Sequence, residues 1–413
     1  MMKDKKALTI IGILVAAVII AAVIMLVGSM RAPFSGKTER RIVTASLEGQ
    51  ASVIRRGTGY NLKEGIGIIE TDTLVIAQEG EAAFKAGDIC GFSMDGNSQV
   101  DILTDDEDLL CISADRGTVL FDKYQGGGVL NVSIPSGTIV CEEAALFSVE
   151  CYTGTQTVNV YKGSITVSSE SVESARLSAG DRFSVVQDED GNDLLSRKED
   201  LTIYALNSFL LRRLSSSEGP EIFTEEELSA EAERRISAME KALADKAAYD
   251  REIIAKGGEV TVIEPTKELG KYMTLDDIHS CTLSIVCHTI LDNAEDLDPD
   301  SQAYVPENGV IMAPTTVQYV VGENVFDVLK RACFYADIPI EYDWANKFGG
   351  YYIKSIRGIS EFDCGPESGW MYKVNDWFPN HGCSSYVLRE GDVVVWEYTC
   401  EGLGADIGCY WGL

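Results

Sequence analysis

From Val43 to Gln187 apolar and polar positions alternate in short runs. ASVIRRG, TLVIAQ, QVDIL, LLCIS, GTVLFDK, VLNVSI, LFSVEC, TVNVYKGSITV and DRFSVV are each a few β-branched or apolar residues bounded by Gly, Asp, Asn or Ser. Such runs, separated by turn residues roughly every 8 to 12 positions, predict an all-β sandwich, barrel or solenoid and not βαβ units. From Leu201 the period changes to that of a helix. LTIYALNSFLLRRL puts Leu201, Tyr204, Ala205, Phe209 and Leu211 near one face, and SSSEGPE then breaks it. The next segment opens with Thr224 as N-cap and Glu227 three residues on, a capping box, and stops at Gly257-Gly258. Its bulky apolar positions are sparse (Leu228, Ile236, Met239, Leu243). That pattern predicts a charged, semi-rigid spacer helix, about 45 Å long at the α-helical rise.

After Val260 the pattern is mixed. Cys281, Leu283, Ile285 and Cys287 share one face of a strand, and a second strand is predicted near Gly309 to Tyr319. Val325, Val328, Leu329, Ala332 and Cys333 then fall on one helical stripe, and GYYIKSI, GWMYKV and DVVVWEYT read as further strands. Strand, strand, helix, strands is the order of a β-grasp-like α+β domain. At the other end, the uninterrupted apolar run Ala7 to Val27 meets the roughly 20 residues needed to span a bilayer as a helix. VGSMRAPF after it is a poor cleavage site, so a signal-anchor is expected. The expected fold class is therefore multidomain. A cytoplasmic stub and transmembrane helix occupy 1–30, an all-β domain 43–200, a helical linker 201–258 and an α+β domain 260–413. The expected location is the cell membrane, single-pass through residues 7–27, with the bulk of the chain extracytoplasmic.

Charge and cysteine usage sharpen this picture. With 65 acidic and 35 basic residues the formal net charge is -30, a field that repels phosphate backbones and argues against nucleic acid as a partner. The 11 cysteines include no Cys-x-x-Cys pair and fit an oxidising space. Cys364 and Cys383 flank one aromatic hairpin and are the first disulfide candidates. Cys400, in phase with Val394, Trp396 and Tyr398, can meet Cys287 or Cys281 across the sheet. Cys333, on the helix stripe, reads as an inert core thiol.

Motifs for catalysis and metal binding are absent. There is no phosphate loop, nucleophile elbow, zinc-protease helix or paired-carboxylate motif. His381 and Cys383 close one turn and are too near in sequence to face each other as base and nucleophile, while His288 points away from Cys287. Asp188 to Asp193 departs from a calcium loop at its sixth position, and the acidic stretches at Thr104 and Asp292 read as solvated loops. No catalytic residue, metal site or cofactor is expected.

SGWMYKVNDWFPNHGCSSY, Ser368 to Tyr386, concentrates aromatic rings. Trp370, Tyr372, Trp396 and Tyr398 repeat one spacing on two strands and predict a core face. Trp377 and Phe378 sit among turn residues, which predicts exposed rings at a loop tip. With Asn375 and Asn380 they are the candidate ligand-contacting residues.

Two resemblances complete the reading. LEGQASVIRRG, LKEGIGIIETDTLVIAQEGEAAFKAGD, RGTVLFDK, VSIPSGTIV, VNVYKGSITV and LSAGDRFSV, over about 43–190, resemble the FecR-like domain of extracytoplasmic bacterial proteins; the usual Arg-Gly-Thr-x-Phe step is EEAALFSV here, keeping only Phe147. CTLSIVCHTILDN, VPENGVIMAPTTVQYVVGENVFDVLKRA and the stretch with SGWMYKVN and GDVVVWEY, about 278–408, resemble a domain of Gram-positive surface proteins related to the C-terminal β domain of transcobalamin and intrinsic factor. In the vertebrate transporters that domain closes over cobalamin against an α/α barrel that this chain lacks, so cobalamin enters by resemblance alone. Together these features predict a membrane-anchored, extracytoplasmic, non-enzymatic protein that recognises a small molecule, glycan or protein through its C-terminal domain. The alternative is FecR-like transmembrane signalling with a membrane partner.

Overall fold

The computed structural model describes residues 42–169, 174–187, 192–216, 219–265, 278–345 and 350–410. It divides into two compact units: one, described from Ile42, runs to Cys151 and takes in Ile165–Val167; the other comprises Tyr152–Ser164 and the chain from Ser168 onward. The cut falls inside the segment expected to be a single all-β domain.

The first unit is built of strands, and period-two alternation explains its core. Ala51–Arg55 pairs antiparallel with Thr58–Asn61 and Thr73–Ile76, and Glu81–Ala86 with Cys90–Met94. The long strand Leu109–Lys123 gathers several neighbours. Phe84, Phe92, Phe121 and Phe147 stand opposite one another across four strands. Their centroids are 4.9, 6.0 and 5.2 Å apart in succession. Each such cross-strand ring pair contributes roughly 0.5–1.5 kcal/mol beyond simple burial.

In the second unit, Thr155–Asn159 pairs with Arg182–Val186, and Asp181–Gln187 with Asp193–Asp200. The helix expected from Leu201 is shorter than its apolar pattern. Ile203–Ala205 forms a single 3-10 turn, and α1 runs only from Ser208 to Ser215, because the Asn207 side chain accepts the Leu210 amide and sets the N-terminus there. Helix α2, Glu225–Ala255, carries the Thr224/Glu227 capping box. The rest of the unit centres on a mixed five-stranded sheet with helix α3 (Val325–Tyr335) on it. Strand β1 (Ile278–Val286) lies antiparallel to β2 (Val310–Val320) and parallel to β7 (Val393–Thr399); β7 pairs antiparallel with β6 (Gly369–Val374), and Val262–Ile263 runs beside β2. A smaller sheet of β3 (Ile340–Ala345), β4 (Gly350–Ile356) and β5 (Ile359–Ser360) follows α3.

Several expectations are corrected. Strand makes up 47% and helix 20% of the structure, so the fold class is predominantly β, not a string of helical anchor, β domain and helical linker. Among the described residues no helix is long and apolar enough to cross a membrane, and the expected span at 7–27 lies outside them. The single-pass membrane location is therefore not retained. Nor is α2 a free spacer. It packs on α1 and on β2 and β7, burying Leu228 together with the charged side chains of Glu231, Arg235 and Lys246. Arg235 donates to the Glu231 carboxylate at 2.7 Å and to the Leu206 carbonyl at 2.6 Å, which satisfies a guanidinium that burial would otherwise penalise. Pairing lets charged side chains of the expected spacer helix be buried.

The disulfide expectations fall as well. None of the 11 cysteines, all among the described residues, is joined in a disulfide. The Cys364 thiol donates to the Asn293 carbonyl, Cys383 donates to the Tyr351 carbonyl, and Cys287 lies at the N-terminal end of the short helix His288–Asp292. The pairings Cys364–Cys383 and Cys287–Cys400 are thus not made. Burial raises the thiols, that of Cys287 to about 11 and those of Cys333 and Cys383 to about 12. With free thiols, cysteine usage no longer argues for an oxidising compartment.

Candidate functional site

The turn after β6 is built by two consecutive left-handed residues, Asn375 (φ 52°) and Asp376 (φ 60°). Asn and Asp tolerate that conformation, which a tight type I′ hairpin requires at both central positions. Val374 and Trp377 close the hairpin with amide-to-carbonyl bonds of 2.8 and 3.0 Å. Asn375 is spent on scaffolding. Its amide donates to Asp392 at 2.7 Å, and its carbonyl accepts the Val393 amide at 2.9 Å.

Trp377 and Phe378 are not an exposed tip. Their relative exposures are 6% and 7%. The Trp377 indole donates to the Tyr204 carbonyl at 3.1 Å, the Lys373 ammonium lies 5.6 Å from the centre of the Phe378 ring, and Arg234 and Lys373 pair with the Asp376 carboxylate. Sequence reading placed these rings at a surface because the turn around them is polar; the helix α2 and the segment before α1 supply the cover, and neither is visible locally. The Asn380 side-chain oxygen accepts from Nδ1 of the His381 ring at 3.4 Å.

His381 is also internal. Its ring lies on Tyr152 at 3.9 Å and 19°, with Tyr386 at 6.1 Å and 8°. Burial, reinforced by the Arg182 guanidinium, pushes its pKa down to about 3, so the imidazole is neutral across the physiological range. Burial keeps the nearby Cys383 thiol protonated. Trp370, Tyr372, Trp396 and Tyr398 form the core face the spacing predicts, all at or below 8% exposure. Among the described residues no group of three or more His, Cys, Asp or Glu side chains is placed to hold a metal ion. The acidic run at Asp188 lies largely outside the described residues.

A different surface carries the features of a site. Helix α3 starts at a capping box, Asn324 with Asp327, and buries the stripe Val325, Phe326, Val328, Leu329, Ala332 and Cys333. That stripe leaves the last turn facing out, where Phe334 is 89% and Tyr335 63% exposed. The chain then reverses at Asp337 (φ 52°) into β3. Between α3 and β3 lies a cleft of about 540 Å³, lined by Lys330, Arg331, Phe334, Ile338, Ile340 and Tyr342. Its floor is held by Arg331, which donates to Glu323 at 2.6 Å and to the Gln318 carbonyl at 2.7 Å. Glu323 in turn accepts the Val320 amide at 2.7 Å. Asp327, also on the cleft, is raised by burial although the Asn324 amide stabilises its charge. Lys330 is held 5.0 Å above the Phe326 ring, which stacks on Tyr351 at 4.2 Å and meets Tyr342 edge-on at 4.8 Å. The result is an open concave surface with an aromatic wall, an ion pair and one cation at the rim.

Sequence reading missed this cleft, although it held a signal. The helical stripe that identifies α3 assigns Phe334 and Tyr335 to neither core position nor turn, so two adjacent rings off the apolar face had to be exposed or partnered.

No curated protein matches the chain. Among solved structures, an anti-sigma factor candidate from Parabacteroides distasonis is similar over 34% of this chain and 64% of its own at 15% identity and a TM-score of 0.30. The likeness thus spans under two thirds of that protein. Haptocorrin in complex with Cbi is similar over 31% of this chain and 26% of its own, at 17% identity and a TM-score of 0.23. At these TM-scores neither likeness bears on function. The resemblance of 43–190 to FecR-like domains has no matching family model. Residues 322–400 match the family described as Domain of unknown function (DUF4430), and that span contains every residue lining the cleft.

Proposed function

We propose that this chain is a non-enzymatic binding protein that takes its ligand, a small molecule, glycan or protein, in the α3–β3 cleft of its C-terminal part. The observation that carries this reading is the coincidence of an open cleft of about 540 Å³ with a Phe334 ring left 89% exposed on its lining. Exposing a phenylalanine in water forgoes roughly 1.5–3 kcal/mol of burial, and such rings clustered at a concave site are a mark of binding. The buried, fully protonated thiols and the neutral, enclosed His381 favour recognition over catalysis.

The test is a thermal-shift screen of the full chain against small molecules including corrinoids, glycans and short peptides, repeated with Phe334→Ala. A ligand that raises the melting temperature of the parent and not of the variant supports the reading. A ligand whose effect survives the substitution moves the site elsewhere.

A further inference from the structure

Strand β3 pairs with β4 on one side, and among the described residues its other edge pairs with no strand. Glu341, Tyr342 and Asp343 are exposed along it. An open edge offers a row of unpaired amides and carbonyls to any extended chain, while side-chain alternation offers pockets at every second position. Here Ile340 and Tyr342 of that strand are also walls of the cleft, so a chain laid along the edge puts alternate side chains against Phe334 and Ile338.

Charge selects among extended chains. Asp337, Glu341 and Asp343 lie exposed on the approach to the edge and along it, and Lys354 pairs with Asp343 from the neighbouring strand. The whole molecule carries a net charge of -30, which accelerates encounter with cations and opposes anions. From the open edge, the Phe334, Ile338, Ile340 and Tyr342 walls of the cleft beside it and the acids along both, Glu323 and Asp327 included, we infer that the ligand is an extended basic peptide segment that adds as a strand to the free edge of β3. The inference rests on the binding reading above and names the ligand class for that site.

Fluorescence anisotropy of the full chain with a labelled peptide of alternating lysine and valine tests it, against the same peptide with glutamate for lysine and one with alternate backbone amides methylated. The basic peptide binds, and each control is weaker by about tenfold or more, roughly 1.4 kcal/mol. Glu341→Lys weakens the basic peptide by a similar factor and leaves the melting temperature unchanged. Equal binding of the acidic or the methylated peptide overturns the inference, as does edge-to-edge dimerisation that Glu341→Lys abolishes. If no peptide binds while a small molecule or glycan is retained in a Phe334-dependent way, the inference fails and the binding reading stands. If no probe of any class is retained, both fail.

Discussion

The Trp377 indole donates a hydrogen bond to the carbonyl of Tyr204, 3.1 Å away and 173 residues earlier in the chain. This bond ties the hairpin after β6 to the segment ahead of α1, and it turns a surface-looking tip into packing. Trp377→Ala should therefore destabilise the fold by about 3–5 kcal/mol, as removal of a buried large ring does. Urea unfolding measures it. An unchanged midpoint would return these rings to the surface.

Arg235 is 3% exposed, and its guanidinium joins Glu231 to the Leu206 carbonyl. Removing it leaves the Leu206 carbonyl unpaired and Glu231 held by Arg234 alone. Arg235→Ala should cost about 1–3 kcal/mol, the penalty of an orphaned buried carbonyl, whereas Arg234→Ala, half exposed on the same helix, should cost about 1 kcal/mol or less. Equal small losses in urea denaturation would mean that α2 is a free spacer after all.

The pH dependence follows from His381. Its folded pKa, near 3, lies below the ordinary 6.5, because burial and then Arg182 oppose the charged form. Below about pH 6.5 the unfolded chain takes up a proton that the folded chain refuses, so stability falls with pH down to about 3 and is unaffected above 6.5. Between pH 7 and pH 5 the stability gap between the parent and His381→Gln should narrow by roughly 2 kcal/mol. A gap that does not change with pH would place the imidazole in water.

The thiols give a chemical check. Alkylation of the denatured chain without reductant should label all 11 cysteines by mass spectrometry. A mass short by two labels, with linked Cys364 and Cys383 peptides, would restore the disulfide that the structure removes.

Legibility in the sequence tracked the range of the deciding interaction. The start of α2 at its Thr224/Glu227 box, the stripe of α3 and the paired rings of β6 and β7 are local or periodic, and they can be read directly. What could not be read depends on partners far along the chain. Trp377 is covered by Tyr204, His381 by Tyr152, and Arg235 is paired through a helix turn that only tertiary packing buries. The cysteine partners failed for the same reason, since Cys364 donates to Asn293, 71 residues earlier, and Cys383 to Tyr351, 32 residues earlier, not to each other across a hairpin. The cleft lies between these cases. Its rings were marked by α3's own periodicity, but its second wall, Ile340 and Tyr342, comes from a strand whose position no local pattern gives.

The measurement closest to the central claim is ligand retention by Phe334→Ala. Phe334 is 89% exposed, so its removal should leave the melting temperature within about 1 °C of the parent while the stabilisation by any ligand of the α3–β3 cleft is lost. A variant that keeps full ligand stabilisation, or one that melts many degrees lower without ligand, contradicts the account.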